Sequence, residues 1–194
     1  SCAILDNRSA VCWGKNSSGQ LGIGTTVNRS EPTIIAALDN ATSISAGKDH
    51  TCVTFGNGQA KCWGENYYGQ LGSALSGDSS QNEHSYNSGT DNSTPVLVSG
   101  LTNVKGIGAG GYQTCATFDN GTAKCWGRNS EGQLGVGSQY DNSSVPVVVD
   151  NLTNIRLQPK ASSLSSSIGE TLSVGENHSC AAMDNGSAMC WGYN

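Results

Sequence analysis

Residues 52–64 read CVTFGNGQAKCWG, and this stretch decides the fold. Two short segments with strand character, 51–55 and 59–63, lie on either side of the turn Gly56-Asn57-Gly58. A three-residue turn that ends in glycine is typical of a β-hairpin, because a type I turn is closed there by a residue in the left-handed region. The stretch therefore predicts an antiparallel hairpin.

The same turn recurs at 6–8, 119–121 and 184–186. In the first of these copies Arg8 replaces the glycine, so it should occupy the left-handed region at a cost of about 1–2 kcal/mol. Each of these three copies begins with an aspartate. Because the aspartate recurs at the same turn position, turn formation explains it better than catalysis does. We therefore predict no catalytic role for Asp6, Asp119 or Asp184.

The turn sets the register of the hairpin, and the register sets the disulfides. If Phe55 faces Gln59, Cys52 faces Cys62 further out, at a distance that a cross-strand disulfide can span. A second cysteine follows the first after ten residues in every copy, so the repeat selects one pairing of the eight cysteines. The predicted bonds are Cys2 to Cys12, Cys52 to Cys62, Cys115 to Cys125 and Cys180 to Cys190.

The hairpin belongs to a longer repeat. Each second cysteine is followed by tryptophan and glycine, and three copies continue as Gly-x-Asn-x-x-Gly-Gln-Leu-Gly. Because neighbouring residues of a strand point to opposite faces, cysteine and tryptophan should serve contacts on opposite sides of the sheet. The repeats begin near Cys2, Cys52, Cys115 and Cys180.

The spacing between these starting cysteines is the size of one propeller blade, so it predicts an all-β fold built from blades of four antiparallel strands. Glycine is abundant, with 26 residues, and no window shows apolar residues at helical spacing over three turns. Three repeats and one hairpin are few for a closed propeller, which takes about 4–8 blades. We expect further repeats of the same polypeptide, or neighbouring copies in an assembly, to cover both ends of this 1–194 partial propeller.

Zinc is the competing interpretation of the cysteines, because histidine stands two residues before Cys52 and Cys180. The third repeat has Gln113 where the others have His50 and His178, yet its cysteine pair is intact. We therefore favour structural disulfides over metal and predict neither a metal ion nor a cofactor. Disulfides are typical of an oxidising compartment, so an extracellular or cell-surface location is expected.

Glycosylation signals agree with that location. The triplet Asn-x-Ser/Thr is more frequent than chance would give, although Asn, Ser and Thr also suit turns. The candidate acceptors are Asn7, Asn16, Asn28, Asn40, Asn92, Asn120, Asn142, Asn151, Asn177 and Asn185.

Two segments interrupt the repeat, a polar insert at 73–94 and a serine-rich loop at 156–171. The polar composition of both segments predicts solvated loops. Their alternative role is partner contact or a weak calcium site, although the acidic residues lack the spacing of a calcium loop. The residues concerned are Asp78, Glu83, His84 and Asp91.

Four motifs characterise the repeat. They are the Gly-x-Asn-x-x-Gly-Gln-Leu-Gly run, a proline-valine strand as at Pro95-Val96, a Leu-x-x-Val/Ile step as at Leu101 to Val104, and Ala-Gly-x-x-His as at Ala46 to His50. Together these motifs resemble the regulator of chromosome condensation repeat family. The resemblance implies about half of a seven-bladed wheel. The paired cysteines resemble the secreted, disulfide-bearing branch of these propellers.

The best-known member of that family exchanges nucleotide on a small GTPase and sits on chromatin. The net charge of −5 gives no basic footprint, so we predict no nucleic-acid partner, and no apolar run has the length of a membrane span. We expect a non-catalytic extracellular structural or adhesive module of a filament or surface coat. The alternative is a secreted propeller that inhibits or captures a partner enzyme, as in the β-lactamase inhibitory propellers.

An aromatic cluster on one loop face would favour that alternative. Tyr67, Tyr68 and Tyr86 are the candidates for it in the sequence.

Non-reducing peptide mapping should recover the four predicted cystine peptides, each from within one repeat. Free thiols, or bonds between cysteines of different repeats, would contradict the predicted hairpin register.

Overall fold

A computed structural model describes residues 1–36, 38–73, 89–139, 141–155 and 172–193. Over these residues the chain forms fourteen strands. They are β1 (Cys2–Ile4), β2 (Ala10–Gly14), β3 (Arg29–Ile34), β4 (Ala41–Ala46), β5 (His50–Phe55), β6 (Ala60–Gly64), β7 (Asn92–Leu97), β8 (Val104–Ala109), β9 (Gln113–Phe118), β10 (Ala123–Gly127), β11 (Ser143–Val148), β12 (Leu172–Val174), β13 (His178–Ala182) and β14 (Ala188–Gly192).

The strands form four antiparallel sheets, which we call blades 1 to 4 in chain order. Blades 2 and 3 have four strands each, β4 to β7 and β8 to β11, and blades 1 and 4 have three, β1 to β3 and β12 to β14. Neighbouring blades contact each other through β4, β8 and β12, their inner strands. The predicted all-β propeller architecture is therefore confirmed.

The hairpins have the predicted register. Cys52 lies opposite Cys62, the other three pairs lie opposite each other in the same way, and all four disulfides are formed. Arg8 has a φ of 64°, like the turn glycines Gly58 (78°), Gly121 (73°) and Gly186 (83°). The left-handed position predicted for Arg8 is confirmed.

At each blade boundary, the disulfide of one blade packs in the same core as the tryptophan of the next. The Cys52–Cys62 bond packs with Trp126 of the next blade, together with Leu71 and Ile107, and these side chains are buried. The two other boundaries repeat this arrangement, with Cys12 and Trp63 in one core and Cys125 and Trp191 in the other. The core therefore consists of three clusters, one at each blade boundary.

A hydrogen bond from the tryptophan crosses every boundary. The indole Nε1–H of Trp126 donates to the backbone carbonyl of Gln70 at 2.9 Å, and Thr114 Oγ1 donates to the same carbonyl at 2.8 Å. Trp63 donates to Gln20 and Trp191 to Gln133 in the equivalent way, at 2.9 and 3.0 Å. The Gly-Gln-Leu-Gly sequence of one blade thus binds the tryptophan of the next.

The outer strands β3, β7 and β11 each contain one proline, Pro32, Pro95 and Pro146. The backbone N–H of Val98 donates inward to Ala60, so by alternation the nitrogen of Pro95 points outward. Proline removes an N–H that would otherwise be open to pairing with another strand.

The two segments that interrupt the repeat fall largely outside the described residues. These exclude 74–88, with Asp78, Glu83, His84 and Tyr86, and the whole serine-rich loop 156–171. Over the described residues, no helix has the length and apolar character that a membrane crossing requires.

Substitution of Gly72 tests the packing at a blade boundary. A Cβ on Gly72 would lie 2.7 Å from Trp126 Nε1 and 2.9 Å from Val98 Cγ1. Gly100 has nearly the same φ (65° against 64°), yet its Cβ would meet nothing within 4 Å. Both Gly→Ala variants place alanine in the left-handed region and lose stability for that reason. Only Gly72→Ala also overpacks the core, which should cost about 1–3 kcal/mol more.

Urea unfolding should therefore show a larger loss of free energy for Gly72→Ala than for Gly100→Ala. Equal losses would mean that the boundary adjusts to the added methyl group without cost.

Candidate functional site

The blades present two opposite faces, which differ in chemistry. We call the first the loop face. It comprises the turns after the inner strands, at 47–49, 110–112 and 175–177, and the described segments that follow β2, β6 and β10. The second is the hairpin face, formed by the turns at 6–8, 56–58, 119–121 and 184–186. Because the strands of each blade run antiparallel, alternate connections must lie on the same face.

The loop face rests on a rigid framework that recurs from blade to blade. Asn66 is buried, its Oδ1 accepts the backbone N–H of Leu71 at 3.0 Å, and its own N–H donates to Asp91 Oδ1 at 3.0 Å. Asn16 and Asn129 make the equivalent bonds, with Asn28 and Asn142 in place of Asp91. The asparagine of each motif therefore folds its loop before any partner is bound.

Aromatic and cationic side chains from blades 2 and 3 meet on this face. Tyr68 lies edge-on to Tyr67 and Tyr112, with ring centroids 4.9 and 5.3 Å apart. The guanidinium of Arg128 lies 5.6 Å from the Tyr68 ring and 5.8 Å from the Tyr112 ring, and Lys48 Nζ lies 4.8 Å from Tyr112. We call these five residues the tyrosine cluster.

Lys48 links the cluster to an acidic residue of blade 4. Its Nζ donates to the Tyr112 hydroxyl at 3.0 Å and to Glu176 Oε1 at 3.2 Å. The pKa of Lys48 is raised, first by the bond to Tyr112 and next by the bond to Glu176. Lys48, Gly111 and Glu176 also line an open depression of about 440 Å³ beside the inner strands. Blades 2, 3 and 4 therefore all contribute to this surface.

Carboxylates gather beside the cluster, at the boundary between blades 1 and 2. Asp49 Oδ1 accepts from Lys15 Nζ at 2.8 Å and from Gln20 Nε2 at 2.7 Å. Burial raises the pKa of Glu65, and the negative charges of Asp49 and Asp91 raise it further. The described residues contain no group of three or more His, Cys, Asp or Glu side chains placed to hold a metal ion.

His50 and the cysteines have structural partners. All eight cysteines are in disulfides, which leaves no thiolate for zinc. Thr114 Oγ1 gives its proton to Gln70, so it accepts from His50 Nε2–H at 2.9 Å. His50 Nδ1 is buried without a hydrogen-bond partner, and burial lowers the pKa of His50 to about 4. His50 thus joins blades 2 and 3 as a neutral ring.

The predicted glycan acceptors divide between the two faces. Asn7, Asn120 and Asn185 lie exposed in the hairpin turns, and Asn40 and Asn151 lie exposed on the connections at the same face. On the loop face Asn16 is fully buried, Asn28 is exposed, and Asn92, Asn142 and Asn177 are half-buried. The turn aspartates Asp6, Asp119 and Asp184 are exposed on the hairpin face, away from the tyrosine cluster.

Sequence analysis did not identify three residues of the cluster. Lys48, Tyr112 and Arg128 are far apart in the chain, and the repeat gives no reason to group them. One signal was available, because the position of Tyr112 is occupied by Asp49 and Asn177 in the neighbouring blades. A position that varies within a repeat points to a role outside the shared fold.

Antiparallel sheets of three or four strands, which contact one another through their inner strands and repeat along the chain, define the protein as a repeat-built β-propeller. The family model of the regulator of chromosome condensation (RCC1) repeat matches residues 12–54, 57–117 and 120–182. The chain therefore belongs to the RCC1 repeat family, as the motifs indicated.

Individual relatives share the repeat at moderate identity. The ultraviolet-B receptor UVR8 of Arabidopsis thaliana is 29% identical over 100% of this chain, which spans 39% of the receptor. The human X-linked retinitis pigmentosa GTPase regulator is 30% identical over 75% of the chain and 13% of its own length. The chain thus spans well under half of these relatives.

Solved structures show the same fold. Human WBSCR16 superposes with a TM-score of 0.74 at 21% identity, over 97% of this chain and 44% of that one. Yeast RCC1 (Prp20) superposes with a TM-score of 0.71 at 20% identity, over 95% and 39%.

The buried His50 predicts acid sensitivity. Unfolding restores its ordinary pKa of 6.5, so between pH 6.5 and about 4 the unfolded chain binds a proton that the folded chain does not. Stability is therefore present above pH 6.5 and is lost as the pH falls, by about 3 kcal/mol. His50→Gln, which copies Gln113 of the next blade, should flatten this part of the profile.

The measurement is the free energy of unfolding in urea at several pH values. His178→Gln, at the equivalent but exposed position of blade 4, is the matched control and should keep the wild-type profile. Parallel curves for wild type and His50→Gln would exclude His50 as the source of acid sensitivity.

Proposed function

We propose that this chain is a non-catalytic, extracellular propeller module that binds a protein partner through its loop face. The observation that carries the proposal is the tyrosine cluster, in which Tyr68, Tyr112 and Arg128 lie within 6 Å of one another. The specific form we propose is capture of a secreted partner.

The composition of the cluster supports protein binding. Tyrosine and arginine are the residues that most often dominate the energy of protein interfaces, because they offer large contact areas with polar ends. Tyr67 is 39% exposed and Lys48 is exposed, so the cluster reaches solvent. Tyr67, Tyr68 and Arg128 belong to loops that the buried Asn66 and Asn129 hold in place, and such pre-ordered loops lose little entropy on binding.

The four disulfides support the extracellular location. Cystine persists in oxidising surroundings and is rare in the cytosol. Every cysteine of the chain is bonded within its own hairpin, which is the pattern of structural rather than regulatory disulfides.

Protein binding also occurs in proteins of similar fold. Yeast RCC1 (Prp20) was solved bound to Kap60, and Prp20p was described together with its binding to Gsp1p and histones. These partners belong to those proteins. This precedent supports a protein-binding role for this chain, which would have its own partner.

A structural or adhesive role in a filament or coat is the second candidate, and one observation favours it. Ile34, Leu97 and Val148 occupy equivalent ends of the three outer strands and are 66%, 50% and 56% exposed. A row of exposed apolar side chains suits contact with a neighbouring molecule.

Affinity capture from extracellular fluid, followed by Kd measurement with the purified partner, tests the proposal. Tyr112→Ala and Arg128→Ala should each raise Kd about tenfold, since they remove interface anchors. Lys105→Ala changes an exposed residue that pairs with Asp119 on the hairpin face, and it should leave Kd unchanged.

Urea unfolding of each variant separates lost contacts from lost folding. The proposal fails if folded Tyr112→Ala and Arg128→Ala bind as well as wild type. Self-association that Leu97→Ser abolishes and Tyr112→Ala does not would favour the second candidate.

A further inference from the structure

The four hairpin turns share one side-chain geometry. In each turn the asparagine Oδ1 accepts the backbone N–H of the residue two positions later, at 3.0–3.2 Å. In three of them that residue is serine or threonine, and its hydroxyl donates to the same Oδ1 at 2.7 Å. The pairs with both bonds are Asn7 with Ser9, Asn120 with Thr122 and Asn185 with Ser187.

This geometry leaves the amide nitrogen available. The bonds use Oδ1, which lies on the other side of the amide from Nδ2, and all three asparagines are exposed. A sugar on Nδ2 therefore leaves both hydrogen bonds of each turn in place. The modified turn keeps its fold.

The loop face contrasts with this arrangement. Asn16 is fully buried, and its Nδ2 donates both protons, to the carbonyls of Thr25 at 2.8 Å and Val27 at 3.0 Å. A sugar would replace one of those protons and would have to lie inside the folded loop. Asn16 carries the same sequence signal as Asn120, yet a sugar on Asn16 is incompatible with the native fold.

The fourth hairpin lacks only the hydroxyl. Asn57 Oδ1 accepts the N–H of Gln59 at 3.1 Å, and its Nδ2 donates to the side-chain oxygen of Gln59 at 2.9 Å. Asn57 is exposed in a turn of the same shape. One substitution at residue 59 therefore completes the acceptor triplet without changing the backbone.

We propose that the hairpin turns are the N-glycosylation sites of this protein, with Asn7, Asn120 and Asn185 occupied and Asn16 bare. Glycans on these three asparagines then project from the face opposite the tyrosine cluster. The inference rests on the extracellular location included in the proposed function.

The transfer uses a lipid pyrophosphate-linked oligosaccharide, the donor of the secretory pathway. Nδ2 forms a bond to C1 of the first sugar and loses one proton to a base of the transferring enzyme. The bond from C1 to the pyrophosphate oxygen breaks, and the lipid pyrophosphate leaves with the electron pair.

The test is secretion of the protein from cultured eukaryotic cells behind a cleavable signal, followed by site mapping. A peptide N-glycosidase in heavy-oxygen water converts each glycosylated asparagine to a labelled aspartate. Label is expected at Asn7, Asn120 and Asn185 and is not expected at Asn16. Thr122→Ala should lose the glycan of Asn120 alone.

Gln59→Thr is the sharper experiment, because it should add one glycan at Asn57. Gln59→Val, similar in shape but without the hydroxyl, is the matched control and should add none. Label at Asn16 in folded protein, or no gain in Gln59→Thr while Asn120 is occupied, would overturn the proposal. Secreted protein without glycans would overturn it too, and the Kd measured on the same sample would still test the loop face separately.

Discussion

The hydrogen bond from the tryptophan indole of one blade to the glutamine carbonyl of the preceding blade, made by Trp63, Trp126 and Trp191, is the contact on which the fold depends. At Gln70 this bond is buried, and the same carbonyl also accepts from Thr114. A buried carbonyl that lost both donors would incur a desolvation cost of about 1–3 kcal/mol. The bond requires close approach, and this explains the glycine after each Gln-Leu: a Cβ at Gly72 or Gly135 would lie 2.7–2.9 Å from an atom of the facing indole or valine. The disulfide of the preceding blade closes the same core from the other side.

Since these contacts fix the blade boundaries, residues at the ends of the strands are free to differ from repeat to repeat. Asp49, Tyr112 and Asn177 are equivalent in position and have three different side chains. Their backbone carbonyls nevertheless make the same bond, each accepting an N–H of the residue after the Trp-Gly pair, at 2.8–2.9 Å. The backbone therefore serves the fold and the side chains serve the surface. The tyrosine cluster occupies positions that the repeat leaves free.

The local structure could be predicted because hairpin register depends on residues close in the chain. The turn at 56–58 fixes which residues face each other, and Arg8 followed from comparison of one turn with another. The tyrosine cluster could not be predicted in this way. Tyr68, Tyr112 and Arg128 meet because adjacent blades are rotated about a common axis, and that rotation depends on the boundary contacts rather than on sequence spacing. The acceptor triplets show a second limit, since Asn16 and Asn120 are alike in sequence and opposite in burial.

The boundary between blades 2 and 3 carries both stability and the surface. His50 donates to Thr114 across it, Trp126 donates to Gln70 across it, and Tyr68 meets Tyr112 directly above it. Any process that opens this boundary also separates the two tyrosine rings. The loop face is thus intact only when the neighbouring blades are packed. A surface built from several blades makes binding a property of the assembled propeller, which no single repeat could provide.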